Sequence, residues 1–206
     1  YGADHKSPEG EIVEILGHVN DPGTDILSVV RAYDIPVEYP DKVMDSLKDI
    51  PDEVDEADFV GRTDFRALPT VTIDGEDAKD LDDAITLSYE DGIYTLGVHI
   101  ADVSHYVKEK SPLDKEALKR GTSCYLVDSV IPMLPHKLSN GICSLNAGTD
   151  RLTLSCVMKF DKKGKLLDHT ICEGILHVDE RMTYTNVEKI LERNDEEVLK
   201  RYEALV

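Results

Sequence analysis

Several stretches of the chain alternate apolar and polar residues, which is typical of strands that bury one face. Turn signals separate two neighbouring pairs of these stretches: Asp91-Gly92 in the first pair, and Asp-Lys-Lys-Gly at residues 161–164 in the second. Each pair is therefore predicted to form a hairpin. The strands predicted in this way are residues 11–17, 70–74, 84–89, 93–101, 151–160 and 165–178, with a short extended segment at 123–127.

Apolar residues at helical spacing indicate four helices. We expect Thr24 to cap the first helix and Ser111 to cap the third, which ends at Gly121. Thr185 and Glu188 form a second capping box, which begins the fourth. Helices beside hairpins, without regular alternation of strand and helix, predict an α+β fold with a mixed, largely antiparallel sheet and flanking helices. The predicted helices are residues 24–34, 41–50, 112–120 and 185–206.

The chain has 206 residues, 41% of them hydrophobic, which is enough for the core of one domain. No apolar run is long enough to cross a bilayer, so no membrane contact is expected. The four cysteines include no C-x-x-C pair and no nearby pair of histidines, which argues against a zinc site. We expect them to be buried free thiols in a reducing, cytoplasmic compartment, with one disulfide as the alternative. The cysteines are Cys124, Cys143, Cys156 and Cys172.

The charge balance is strongly acidic. Aspartate and glutamate number 42 against 23 lysines and arginines, which gives a formal net charge of −19. Such a balance argues against a general surface for binding polyanions. If the chain acts on nucleic acid, it needs bound cations at the point of contact or basic surface supplied from elsewhere.

Residues 74–83 contain five aspartates and lie between two β-branched, apolar stretches, 70–73 and 84–87. Two buried strands would hold these like charges close together, which is stable only when cations are present. Asp74 ends one predicted strand, and Asp80, Asp82 and Asp83 precede the next, so the intervening loop lets them converge. Oxygen ligands without a soft ligand favour Mg²⁺, or alternatively Mn²⁺, over zinc.

A divalent ion held by carboxylates, with water completing its shell, suits the hydrolysis of phosphodiesters. The spacing does not fit an EF-hand, because Lys79 stands where that loop needs glycine and Ile85 where it needs glutamate. Calcium storage and a purely structural acidic loop are the weaker interpretations of the same residues.

Residues 72–84, Thr-Ile-Asp-Gly-Glu-Asp-Ala-Lys-Asp-Leu-Asp-Asp-Ala, closely resemble the signature of the ribonuclease II / ribonuclease R family in its catalytic RNB domain. Further segments resemble that family in the same order, and residues 8–34 resemble the junction that leaves its second cold-shock domain. The resemblance implies that residues 1–20 end a cold-shock-like domain and linker, and that 21–206 form the N-terminal portion of an RNB domain. The further segments are residues 97–106, 125–135, 138–146 and 151–156.

What the resemblance implies is a 3′→5′ exoribonuclease, dependent on Mg²⁺, that releases nucleoside 5′-monophosphates from single-stranded RNA. Asp74, Asp80, Asp82 and Asp83 fall on the family's four catalytic aspartates, most of which hold metal; Asp82 is the one most tied to cleavage. Tyr125 falls on the family tyrosine that packs beside the 3′-terminal nucleotide. No organic cofactor is expected, and the oligomeric state is left open.

The family's later arginine, glutamate and aromatic residue have no counterpart within residues 1–206. We therefore expect the chain alone to bind metal but to cleave weakly or not at all. Two alternatives stand beside the nuclease: a catalytically inactive RNA-binding or regulatory RNB protein, and an acidic module that binds divalent metal without catalysis. His99 and His105 are expected to be structural rather than catalytic. Asp102 is expected to be an acid of a turn or one that supports the site from behind the metal ligands.

Overall fold

The computed structural model describes residues 10–193 and 195–202. Its helices are α1 Thr24–Ala32, α2 Asp41–Ser46, α3 Val103–Tyr106, α4 Pro112–Arg120, α5 Tyr184–Glu192 and α6 Glu196–Arg201. Short 3-10 helices lie at Leu47–Asp49 and Glu56–Phe59, and a π-helical turn at Lys137–Ile142. The strands are β1 Thr63–Asp64, β2 Thr70–Asp74, β3 Asp83–Glu90, β4 Ile93–Ala101, β5 Cys124–Tyr125, β6 Val130–Ile131, β7 Asp150–Asp161, β8 Leu166–His177 and β9 Glu180–Thr183.

The chain divides into two compact units. Within the described residues, the first unit comprises residues 10–38 and 124–131, and the second comprises 39–123 and 132–202. None of the helices in the described part of the chain is long and apolar enough to cross a membrane. The predicted domain boundary between residues 20 and 21 stays a prediction, and residues 1–9 lie outside the described part.

The first unit contains α1 and the hairpin of β5 and β6. Helix α1 begins after Gly23, whose φ of 82° lies in the left-handed region that suits glycine, so the predicted Thr24 cap is wrong by one residue. The predicted strand at 11–17 is also wrong. This segment is irregular and pairs with no strand among the described residues, and a strand without a partner is not stable.

The second unit is built on a seven-stranded sheet in the order β1-β8-β7-β4-β3-β2-β9. Only the edge pairs β1–β8 and β2–β9 are parallel, which confirms the prediction of an α+β fold with a mixed, largely antiparallel sheet. The hairpins β3–β4 and β7–β8 are the two that the sequence predicts. At the first turn, Asp91 and Gly92 both have positive φ, as the tightest hairpin turns require.

The two faces of the sheet are covered to different extents. On one face, the core contains Phe65, Leu81, Ala84, Leu145 and Leu176. On the other, α5 and α6 cover only the β2–β9 edge, through a core of Val71, Met182 and Tyr202. The rest of that second face, on β3, β4, β7 and β8, is largely apolar and partly exposed. Its most exposed residues include Leu87, Ile100, Leu154 and Ile171.

The helix predicted at 185–206 is wrong in its start and its length. Thr183, rather than Thr185, caps α5 by accepting a hydrogen bond from the Asn186 backbone N–H. Arg193 has a φ of 51° and ends the helix, and Asp195 then caps α6 through two backbone N–H groups. The Ser111 cap and the Gly121 stop of α4 are confirmed. Residues 203–206 lie outside the described part.

All four cysteines are free, which confirms thiols over a disulfide. Only Cys143 is buried, and burial raises the pKa of its thiol to about 12, so this group stays protonated. Cys124, Cys156 and Cys172 are partly exposed, contrary to the expectation that all four are buried.

Candidate active site

The four predicted aspartates lie around one connection between neighbouring strands. Asp74 is the last residue of β2, and Asp83 is the first residue of β3. Between Asp80 and Asp82 stands Leu81, which is 2% exposed and belongs to the core of the sheet. Burial of this leucine fixes the backbone between two carboxylates.

The carboxylates influence one another electrostatically. Burial raises the pKa of Asp74, and the charges of Asp83, Asp82 and Asp80 raise it further, against the opposing charge of Arg181. The surrounding protein also displaces water from the carboxyl group of Asp82; this and the charges of Asp80 and Asp83 raise its pKa, although the residue as a whole is exposed. The structure therefore brings all four predicted residues into one electrostatic group.

The chemistry of this group fits a hard divalent cation. Every donor is a carboxylate oxygen, and Asp74 Oδ2 is buried without a hydrogen-bond partner in the described part of the chain. A buried, unpaired carboxylate oxygen is costly unless a cation or donor satisfies it. Among the described residues, no three His, Cys, Asp or Glu side chains already stand in metal-coordinating geometry.

Two further parts of the chain hold the loop that carries the aspartates. Arg181, on β9, donates from Nη2 to the backbone oxygens of Gly75 at 3.1 Å, Glu76 at 2.7 Å and Ala78 at 2.9 Å. At the other end, Ser144 Oγ accepts from the Leu81 N–H and donates to the Lys79 oxygen, both at 3.0 Å.

The residue after this serine continues the support. Leu145 N–H donates to the backbone oxygen of Leu81 at 2.8 Å, and Arg151 Nε donates to the backbone oxygen of Ser144 at 2.8 Å. The sequence alone does not reveal Arg181, Ser144 or Arg151. Arg181 and Ser144 lie more than sixty residues from the loop residues that they contact, and Arg151 supports the loop only through Ser144. A charged residue next to the apolar residues Leu152 and Leu154, as at Arg151, is the only signal that the sequence offers.

Tyr125 belongs to the first unit, whereas the aspartates belong to the second. It lies on β5 and is 66% exposed, so it does not pack in a core formed by the described residues. An exposed aromatic ring is available for stacking against a base.

His99 and Asp102 have structural surroundings. His99 has no exposed surface, contacts Thr86 Oγ1 at 3.0 Å and Ser155 Oγ at 2.8 Å, and is held neutral because burial lowers its pKa to about 4. Asp102 caps α3 and pairs with Arg62 at 2.7 Å. Burial raises the pKa of Asp102, but hydrogen bonds from Ser104 and Arg62 outweigh this and lower it overall.

The contacts of His105 with neighbouring side chains also point to a structural role. Its Nε2 lies 3.3 Å from Asp58 Oδ1, and its Nδ1 lies 3.4 Å from Arg62 Nη2. The geometry of both histidines therefore agrees with the expectation of structural roles.

Comparison with protein-family models gives two matches. Residues 62–204 match the RNB domain, and residues 1–40 match the cold shock domain. The first match covers more than half of the chain and includes all four aspartates and Tyr125.

Similar curated proteins carry the name ribonuclease R. Ribonuclease R 1 of Lactococcus lactis subsp. lactis (strain IL1403) is 51% identical over 94% of this chain and 24% of its own length. Ribonuclease R of Thermotoga maritima is 50% identical over 98% of this chain and 29% of its own length. The chain therefore spans less than a third of the length of each of these two relatives.

Similar solved structures include Mycoplasma genitalium RNase R in complex with double-stranded RNA. It superposes with a TM-score of 0.82 at 33% identity, over 88% of this chain and 32% of that chain. A further structure of the same enzyme is a complex with ribose-methylated single-stranded RNA, with a TM-score of 0.80 at 32% identity over 90% of this chain and 30% of that chain.

Proposed function

Since the chain belongs to the RNB domain family, we propose that the whole protein is a 3′→5′ exoribonuclease that hydrolyses single-stranded RNA to nucleoside 5′-monophosphates. The observation that carries this proposal is the grouping of the four signature aspartates around one strand connection, with a buried carboxylate oxygen of Asp74 left unpaired. The solved relative in complex with RNA supports RNA as the substrate class.

The proposed cofactor is Mg²⁺, with Mn²⁺ as the alternative, held by Asp74, Asp80, Asp82 and Asp83. When bound, such an ion lowers the pKa of a coordinated water and neutralises the charge that builds on the phosphate. Leu81 is anchored in the core and holds the backbone next to Asp82, which lies one residue before β3 and is exposed as a residue.

The remaining substrate contact proposed within this chain is Tyr125. Stacking of a base on an exposed aromatic ring contributes about 1–3 kcal/mol and is tolerant of sequence. With a net charge of −19, the chain supplies little attraction for the phosphate backbone of RNA. Cations at the aspartates, and basic surface elsewhere in the whole protein, are proposed to supply it. The free cysteines support a reducing, cytoplasmic location.

The test uses the whole protein and a single-stranded oligoribonucleotide that is labelled at every nucleotide. Wild-type protein is expected to release nucleoside 5′-monophosphates with Mg²⁺ or Mn²⁺, and to release none after chelation. Asp82→Asn is expected to abolish turnover while RNA binding remains. Asp77→Asn is the matched control, because Asp77 is exposed in the same loop but lies outside the signature set.

Each alternative predicts a different result. RNA binding without release of mononucleotides in the wild-type protein would point to an inactive RNB protein. Tight metal binding with no RNA binding would point to an acidic metal-binding module. Full activity in Asp82→Asn would contradict the role given to that residue.

A further inference from the structure

The loop between Asp74 and Asp80 determines how far apart the proposed metal ligands stand. It consists of residues 75–79, which form no helix or strand. Glu76 and Asp77 in this loop are exposed, so packing of their side chains does not fix its shape. Ala78 packs against the core of the sheet, and hydrogen bonds to the backbone of the loop supply the remaining constraint on its shape.

Arg181 supplies such hydrogen bonds to one half of the loop. One guanidinium nitrogen, Nη2, donates to three backbone oxygens: those of Gly75, Glu76 and Ala78. Nη2 carries two N–H groups, so one of them is shared between two of these oxygens. The planar guanidinium fixes the directions of both N–H groups, whereas the N–H groups of an ammonium rotate at the end of a flexible stem.

The sheet fixes the position of Arg181 itself. In the parallel pairing of β2 and β9, Arg181 lies opposite Thr72, and Thr183 lies opposite Asp74. Met182, between them, is 4% exposed and packs in the core with Val71. Arg181 and Asp74, the first of the proposed metal ligands, therefore lie on adjacent, paired strands.

Arg181 is also part of the electrostatic environment of the site. Its charge opposes the repulsion that the other aspartates exert on Asp74. Its Nε, together with Asp74 Oδ2 and Thr72 Oγ1, is buried without a hydrogen-bond partner in the described part of the chain. All three side chains project from the same face of the β2–β9 pair, because register partners and alternate residues share a face.

We propose that Arg181 is a positioning residue of the metal site, which sets the separation between Asp74 and the other three aspartates by clamping the backbone of residues 75–78. The inference rests on the proposed function, because it assigns Arg181 to the same metal. Arg181 itself is not a ligand, and it acts through the loop.

The test measures Mn²⁺ affinity by electron paramagnetic resonance in the whole protein, with Asp74→Asn defining the metal bound at this site. Arg181→Gln is expected to weaken this affinity by about 10-fold to 100-fold, as is typical when a group that orients metal ligands is removed. Arg201→Gln is the matched control, because Arg201 pairs with Glu180 on the same strand, β9, at 2.9 Å but does not contact the loop. The control should change the affinity less than about two-fold.

Arg181→Lys separates the clamp from the charge. It keeps the positive charge near Asp74 but replaces the planar guanidinium by a rotating ammonium group on a flexible stem. It should therefore hold the three carbonyls less rigidly and bind Mn²⁺ more weakly than wild type. Affinity equal to wild type in Arg181→Lys or in Arg181→Gln would overturn the proposal. Partial recovery of affinity by Arg181→Ala on addition of free guanidinium would support it, and the lack of any recovery in a folded variant would count against it.

A second measurement does not depend on metal. The Ala78 backbone N–H donates to the Gly75 oxygen at 3.2 Å, an oxygen that Arg181 also holds. Hydrogen exchange of this amide in metal-free protein is expected to be about 10-fold faster in Arg181→Gln and in Arg181→Lys than in wild type. Unchanged exchange would overturn the clamp even if wild-type protein binds no Mn²⁺, which would itself contradict the proposed function. The two failures are therefore distinguishable.

Discussion

His99 has no exposed surface, yet its ring lies among polar side chains on the central strand of the sheet. Thr86 and Ser155 contact its two ring nitrogens, and Ser155 in turn contacts Thr153 at 2.9 Å. Phe65 packs against the ring, with centroids 4.9 Å apart. Two hydroxyl groups can satisfy a neutral imidazole, which has one donor and one acceptor, whereas a buried imidazolium would lack a counter-charge.

This environment predicts a loss of stability in acid. The pKa of His99 is about 4 in the folded chain against 6.5 for an ordinary histidine, so between these values the unfolded chain binds the extra proton. The free energy of unfolding should therefore fall as the pH is lowered from about 6.5 to 4, by up to about 3 kcal/mol from this residue. Urea unfolding at several pH values measures the slope.

His99→Gln provides the comparison. It replaces the ring by an amide that does not titrate, so its stability should fall less steeply over the same pH range. Because the pKa of Asp102 is lowered, both proteins also lose stability in acid through this residue. Only the difference between the two slopes therefore reports on His99. Identical slopes in the two proteins would contradict the assignment.

At the scale of the strand, the space that His99 occupies depends on a glycine two residues earlier. A Cβ at Gly97 would lie 2.6 Å from His99 Nε2 and would also meet Thr86 Oγ1 from the neighbouring strand. His99 is fully buried and cannot move aside. Gly97→Ala is therefore expected to lower the free energy of unfolding by about 1–3 kcal/mol, measured by urea denaturation.

Gly75→Ala is the matched control for this prediction. A Cβ at Gly75 would meet no atom within 4 Å, so this variant should stay within about 0.5 kcal/mol of wild type. If Gly97→Ala unfolds at the same urea concentration as Gly75→Ala, the close approach of β3 and β4 at this point is not a constraint on the fold.

The elements differ in how far the sequence predicts them. Ser111 and Gly121 bound α4 correctly, because both signals act within one turn of the helix. The start of α5 is misjudged because Thr183 and Thr185 are both good caps. The choice between them depends on the pairing of β9 with β2, from which residues more than 100 positions apart in sequence come together.

The same distinction applies to the candidate site. Asp74, Asp80, Asp82 and Asp83 are visible in the sequence because they lie within one loop and its two flanking strands. Arg181 is not, since it reaches Glu76 from 105 residues away through a parallel strand pair. The groups that bear the chemistry can therefore be predicted locally, whereas the groups that fix their geometry depend on the topology of the sheet.

At the scale of the whole molecule, the net charge of −19 opposes the compact state. Any salt should raise the melting temperature by screening this repulsion, since the Debye length falls to about 8 Å at physiological ionic strength. A divalent ion bound at the aspartates should do more, because binding to the folded state alone stabilises it in proportion to the logarithm of its concentration.

We therefore predict that Mg²⁺ raises the melting temperature above the value in NaCl of equal ionic strength. At about 100 times the dissociation constant the excess corresponds to about 2.7 kcal/mol, or roughly 5–10 °C for a chain of this size. Asp74→Asn should keep the response to NaCl and lose most of the Mg²⁺ excess, because screening acts on the total charge whereas the excess needs the unpaired carboxylate of Asp74. Differential scanning calorimetry of both proteins measures the two responses. An equal Mg²⁺ excess in wild type and Asp74→Asn would place the ion elsewhere on the acidic surface.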